Sequence, residues 1–177
     1  MGPYMQTLAA VLGSGLPDDV YNAFAAMNVQ DRKTVAEGGD GGAAFRLSST
    51  ASYRDIMRAG VARQKQKDQL DAFFDEGYEA VLMPVTPITA FAHNQQGSFA
   101  DRVIDVDGKT VPYGALLNWI SLATSLHAPA LAVQAGRAAN GMPVGVQLIG
   151  RRNGEDRLFD LARAIEQELG GFEAPPL

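Results

Sequence analysis

"GMPVGVQLIG", residues 141–150, is a nearly continuous apolar run in which Val144, Val146, Leu148 and Ile149 surround a single amide, Gln147. A run this short, bounded by glycines, reads as a buried β-strand. Upstream, "ALAVQAG" (130–136) reads as a second strand. The connector "RAANGM" (137–142) offers an Asn140-Gly141 turn, so the two strands are expected to be adjacent and antiparallel. Downstream, a helix should start at Asn153 or Gly154, bury Leu158, Leu161, Ala162, Ile165 and Leu169 on one face, and end at Gly170 and Gly171.

Further toward the N-terminus, "YEAVLMPVTP" (78–87) reads as a short strand halted by Pro84 and Pro87. A long polar excursion, 88–118, separates it from a helix expected over Trp119–Leu126, after which Pro129 turns the chain extended. Inside the excursion, "RVIDVDGKTVPY" (102–113) has the pattern of a hairpin turning at Asp107-Gly108, a dipeptide suited to positive φ. Ser52 precedes Asp55 by three residues, a capping-box arrangement that opens a helix running to about Phe74. Core contacts of that helix are expected at its ends, through Ile56, Met57 and Val61 and then Leu70, Phe73 and Phe74. Its middle, "RQKQKDQ" (63–69), is polar all round, so Arg63, Lys65 and Lys67 read as a solvated face.

The first fifty residues are less regular. "YMQTLAAVL" (4–12) is helical and stops at "GSG"; Pro17, Asp18 and Asp19 then open a short helix with Val20, Phe24 and Met27 on one stripe. "AEGGDGGAAF" (36–45) reads as a flexible connection. The expected organisation is one unit, 1–177, with an irregular helical segment carrying a Gly-rich linker (1–50) and a sheet-bearing core with its loop excursion (51–177, excursion 88–118). The class is α/β, a mixed sheet covered by helices.

Composition narrows the partners. A net charge of −5 and a sequence pI near 4.9 provide no general basic field for a phosphate backbone, so nucleic acid is not an expected partner. The absence of cysteine removes disulfides, thiolate metal sites and a cysteine nucleophile together. Neither a secretory leader pattern nor a run long enough to span a bilayer is visible, which leads to the expectation of a soluble, cytoplasmic protein with no membrane partner. The start Met1-Gly2-Pro3 is compatible with an artificial boundary.

Chemistry is sparse. His93 lies in the loop "AFAHNQQG" (90–97) and reads as solvated; His127, beside Pro129 at a helix-to-strand corner, reads as partly buried and hydrogen-bonded. The two histidines lack helical pairing or a carboxylate pattern, so no metal and no cofactor are assigned. "GGDGGAA" (38–44) lacks the Lys-Ser/Thr ending of a phosphate loop and a strand before it. Ser48 and Ser49, in "LSSTAS" (47–52), lie just ahead of the long helix, and with all four lysines in polar surroundings they read as helix caps rather than nucleophiles.

Taken in series, "EAVLMPVTP" (79–87), "VDGKTVPY" (106–113), "NWISLATSLHAPALAVQAG" (118–136) and "GMPVGVQLIGRRNGEDRLFDLARAIE" (141–166) resemble the C-terminal portion of an amidase signature family enzyme. "GLPDDVY" (15–21) and "SYRDIMRAG" (52–60) fit the less regular region before those blocks, so the similarity covers almost the whole chain. The resemblance implies a hydrolase of carboxylic amides whose catalytic serine, second serine and lysine belong to an earlier, Gly/Ser-rich region. None of these roles passes to a residue of this chain, so the catalytic set here is none and the chain is expected to be inactive alone.

What the resemblance assigns to this part is completion of the central sheet and one side of the substrate cleft. Thr86, Tyr113 and Trp119 become the cleft-lining candidates, and Gln147, Gly145 and Pro129 the structural ones; Gln147 is expected to bond backbone groups between the last strand and a neighbouring loop. The implied partners are a small amide substrate and the N-terminal catalytic part of the same enzyme, with self-association of the uncovered surfaces. Amidotransferase members of the family place an acidic residue near the segment that corresponds to "PYGALLNW" (112–119); positions 112–121 hold none, which favours a general amidase. Family members commonly have glycine where His127 stands, so a left-handed backbone is a question for that position. A non-catalytic binding module on the same scaffold is the competing expectation, and a self-contained hydrolase built on Ser48 or Ser49 a weaker third.

Overall fold

The computed structural model describes residues 3–38, 41–97, 99 and 101–174. Two compact units divide the chain, Met1–Lys67 and Asp68–Leu177.

The first unit is helical: α1 (Pro3–Gly13), α2 (Asp18–Ala36), α3 (Gly41–Ser49) and the start of α4 (Tyr53–Asp75), which runs across the boundary. Asp18 and Asp19 stand at the positive end of α2 and Lys33 in its last turn, charges that complement the helix dipole. No proline or glycine interrupts 20–36, so α2 extends to 19 residues instead of the short helix expected. The glycine-rich stretch was expected to be a flexible connection; Gly39 and Asp40 lie outside the described residues, but Gly41 already opens α3. Alanine, leucine and arginine propagate that helix, and its glycines fall in the first turn.

Ser48 and Ser49 therefore lie inside α3 and not ahead of α4; Ser48 Oγ donates to Ala44 O at 2.8 Å, and both residues are buried. The capping residue is Ser52. Its Oγ accepts from Asp55 N at 3.2 Å, while its own N–H and hydroxyl donate to Asp55 Oδ2 at 3.2 and 2.6 Å. The N-terminal apolar residues of α4 are not core: Met57 is 50% and Val61 70% exposed, and Ile56 is at the exposed margin, because helical spacing gives them one face without supplying a neighbour to cover it.

Asp31 and Arg46 join α2 to α3. Arg46 Nε and Nη2 donate to the two carboxylate oxygens of buried Asp31 at 2.9 and 2.6 Å, a two-pronged arrangement that satisfies both. These hydrogen bonds hold the Asp31 carboxyl below the ordinary aspartate range, outweighing desolvation, which pushes it up. A carboxyl with a depressed folded-state pKa contributes stability that is present above the unfolded value and is lost as pH falls through the folded value. Acid titration followed by far-UV circular dichroism should show the helical unit weakening only below the ordinary aspartate range, and Asp31→Asn should flatten that dependence while lowering stability at neutral pH.

The second unit holds the strands β1 (Val81–Pro84), β2 (Val103–Val106), β3 (Lys109–Pro112), β4 (Ala130–Arg137) and β5 (Pro143–Ile149), with α5 (Ser121–Leu126) and α6 (Glu155–Leu169). The α/β class holds, and the strand pairings among the described residues are antiparallel: a three-stranded sheet in the order β1-β5-β4 and the separate hairpin β2-β3. Asn140-Gly141 turns β4 into β5, with Gly141 at φ +80 and Gly141 N donating to Ala138 O at 2.8 Å. Between Gln134 and Gly136 the β4 register shifts, a bulge that Gly136 accommodates at φ +137.

Register pairs Leu131 with Leu148 and Val133 with Val146, so these four side chains share one sheet face. Leu158 and Ala162 of α6 pack there with Val133 and Leu148, and Ala80, Leu161 and Ile165 surround them. Leu169, expected on the buried face, is exposed, and Ile165 is the last residue of the helix packed against the core cluster. Arg151, Arg152 and Arg157 pair with Asp75, Asp71 and Glu79 respectively, tying the β5–α6 corner to the end of α4 and the segment after it. The helix expected over Trp119–Leu126 divides: a 3-10 turn covers Tyr113–Leu117, and α5 begins only at Ser121. Asn118 N bonds Ala115 O at 3.1 Å, tightening the backbone ahead of Trp119.

Candidate functional site

The β2-β3 hairpin turns at Asp107 and Gly108, whose φ values of 52 and 76 are the pair that a two-residue hairpin turn requires. Alternation then places Ile104, Val106 and Val111 on one face, with Ile104 opposite Val111. Beside this face lies a groove of about 470 Å³ lined by Pro87, Val106, Val111, Ala115, Asn118 and Trp119. Among the described residues no charged side chain lines it and Asn118 is the polar one, and Trp119 remains 41% exposed.

Of the residues singled out in the sequence, Trp119 lines this groove and Thr86 and Tyr113 do not. Thr86 precedes the lining residue Pro87 and turns its hydroxyl to its own segment, donating to Ile88 O at 2.7 Å. Tyr113 is half-buried in an aromatic cluster, edge-on to Phe91 and Phe99 with centroids 6.1 and 5.6 Å away, and Arg102 lies over its ring at 5.9 Å. Arg102 also donates to Gln96 O and Gly97 O, and its carbonyl accepts from Tyr113 N at 2.9 Å, so this cluster fixes the chain before the hairpin to the chain after it. Sequence reasoning missed Pro87, Val106, Val111, Ala115 and Asn118 as lining. The alternation around Asp107-Gly108 was the signal for the two valines.

Gln147 is buried on the sheet face opposite α6, in register with Met83 on one side and Ala132 on the other. Its Nε2 donates to Pro84 O at 2.9 Å, across to the end of β1 and the loop that follows. Buried amides need such a partner, and Pro84, lacking an N–H, ends the regular ladder at that point. Pro129 O accepts from Gly150 N at 3.0 Å. A methyl placed on Gly145 would meet Val133 O at 3.4 Å, an ordinary contact.

The two histidines are both exposed, which corrects the partly buried environment expected for His127. His127 has φ 53 and ψ 39, and Ala128 N closes the helix on Ala123 O at 3.0 Å, the conformation that a glycine usually supplies. Among the described residues, no group of three or more His, Cys, Asp or Glu is placed to hold a metal ion, and no helix is long and apolar enough to cross a membrane. Ser49 Oγ is buried without a hydrogen-bond partner inside α3, with no histidine or lysine bonded to it.

Known proteins share both the sequence blocks and the fold. The profile of the family described as Amidase matches residues 20–159. A glutamyl-tRNA(Gln) amidotransferase subunit of Rhodopseudomonas palustris (strain TIE-1) is 39% identical over 127 residues, 70% of this chain and 24% of that protein. The chain thus spans about a quarter of the length of such curated relatives. Among solved structures, the corresponding amidotransferase polypeptide from Thermotoga maritima superposes with a TM-score of 0.52 at 28% identity, covering 82% of this chain and 30% of that one. A crystal structure of an amidase superposes with a TM-score of 0.57 at 22% identity, covering 85% and 33%.

Proposed function

Because this chain belongs to the amidase family, we propose that it supplies the C-terminal part of an enzyme that hydrolyses carboxylic amides to acid and ammonia or amine. In this reading the chain completes the sheet and one side of the substrate cleft, with Trp119 lining that cleft and Thr86 and Tyr113 shaping its loops. Gln147, Pro129 and Gly145 belong to the scaffold. The attacking hydroxyl, its base and the oxyanion donors come from an N-terminal catalytic part, so this chain alone is inactive.

The observation that carries the reading is the sheet itself. Among the described residues β1 and β4 each pair on one side only, with β5 between them, and strand edges left unpaired in this way call for a further strand, a covering segment or another copy. The match to about a quarter of each curated relative supports the first of these. A cytoplasmic location accompanies the reading. The likeness to glutamyl-tRNA(Gln) amidotransferases favours a second version, in which the amide is glutamine; the lack of any acidic residue over 112–121 favours the general amidase.

The test mixes or co-expresses this chain with an amidase family protein truncated before the matched region and measures ammonia released from simple primary amides. The mixture is expected to exceed the uncatalysed rate by about 10⁶-fold or more. A stable monomer that binds a small amide saturably and never yields turnover in the mixture would favour the non-catalytic module.

A further inference from the structure

Two asparagines of the chain precede glycine, Asn140 and Asn153. Such a pair is open to modification by its own backbone. The glycine nitrogen gives up its proton to solvent base and bonds the asparagine Cγ, the Cγ–Nδ2 bond breaks, and the amide nitrogen takes a proton back from water and leaves as ammonia. Water then adds to either carbonyl of the succinimide so formed and opens it to aspartate or to isoaspartate, whose main chain runs through Cβ. Both asparagines are followed by a residue with no side chain to obstruct the ring, so a difference between them comes from the fold.

Asn140 and Gly141 turn β4 into β5, and Asn140, Gly141 and Met142 are all exposed, so base and water reach them. Met142 N donates to Asn140 Oδ1 at 3.1 Å. That oxygen becomes the oxyanion when Cγ is attacked, so a backbone donor already stands where the charge develops. One bond opposes the step: Gly141 N donates to Ala138 O at 2.8 Å and has to release it before attacking. An exposed turn is where such a bond opens at least cost. At the other pair, Gly154 N is likewise bonded to Arg151 O, at 2.9 Å, but Gly154 is half-buried and its carbonyl accepts from Leu158 N at 3.3 Å, at the start of α6. Opening there frays the turn that carries the core residue Leu158. We propose that Asn140 is the site of spontaneous deamidation in this chain, and that the start of α6 protects Asn153. Isoaspartate at 140 would lengthen the main chain against the Ala138 N to Met142 O bond, 2.9 Å, that closes β4 onto β5. The ammonia given off is stoichiometric and accrues on ageing, so freshly purified protein brings none of it to a turnover assay.

Trypsin separates the two asparagines, since cleavage after Arg137, Arg151, Arg152 and Arg157 puts Asn140 in peptide 138–151 and Asn153 in peptide 153–157. The purified full chain, aged in mildly alkaline buffer, digested and read by mass spectrometry, should show the amide-to-acid mass gain at Asn140 several-fold ahead of that at Asn153. Ageing in urea should bring the two rates together, because the glycine that follows is common to both. Asn140→Gln should remove the gain at that position, since the larger ring that glutamine must close forms far more slowly. No gain at Asn140 in the folded chain, conversion of Asn153 as fast as Asn140, or a preference for Asn140 that persists unchanged in urea overturns the proposal.

Discussion

Gly13→Ala is expected to disrupt the helical unit, at a cost of about 3 kcal/mol or more. A Cβ at position 13 would lie 2.0 Å from Ser49 O, 2.6 Å from Ser49 C and 2.7 Å from Ser49 Cα. All three atoms are backbone, so no side-chain rotation relieves the overlap, and α1 must move away from α3. Intrinsic propensity points the opposite way, since alanine within a helix is favoured over glycine by about 1 kcal/mol. The clash decides the sign. Gly60→Ala supplies the control: it sits in α4 with nothing within 4 Å of its Cβ, and should stabilise by about 0.5–1 kcal/mol. Urea unfolding read by far-UV circular dichroism compares the two; equal behaviour of both variants would contradict the close approach of α1 and α3.

Leu158→Ala is expected to destabilise the sheet-bearing unit by about 2–5 kcal/mol. Leu158 is 3% exposed and stands at the centre of the cluster with Val133, Leu148 and Ala162. It also covers Gly150, where an added Cβ would lie 2.8 Å from Leu158 Cγ. Removing the isobutyl group leaves a void against the sheet; Gly150→Ala alone forces Leu158 off its position. The double variant places a methyl in the space that Leu158 vacates, so it should be more stable than the sum of the two single losses predicts. Trp119 belongs to this same unit and provides a fluorescence probe of its unfolding.

Local pattern sufficed wherever a few adjacent residues dictate the backbone. Asp107-Gly108 and Asn140-Gly141 mark the two hairpin turns, Ser52 and Asp55 mark the start of α4, and Gly154 and Gly170 flank α6. The pairing of β4 with β5 followed from the same signals. Helical spacing, by contrast, gives a face without saying what covers it: Ile56, Met57 and Val61 read as core and lie exposed. Glycines at 41 and 42 read as a linker, yet they form the first turn of α3.

The site was legible only in its parts. Trp119 could be singled out as a large aromatic in a loop region, but the groove draws on residues from Pro87 to Trp119, brought together by the hairpin and the 3-10 turn. Tyr113, chosen for the same chemical reason, packs on Phe91 and Phe99, partners that no short-range pattern connects to it. The amide in the apolar run of β5 has its reason in an acceptor 63 residues away, the carbonyl of Pro84.

The most direct test of the central claim is ammonia release by the purified chain alone, across primary amides that include phenylacetamide and glutamine, with Ser48→Ala and Ser49→Ala variants alongside. With both serines enclosed in α3, the chain is expected to release no more ammonia than buffer, and the variants to behave identically. Turnover by the isolated chain that either substitution abolishes would contradict a division of labour in which catalysis belongs to an N-terminal part.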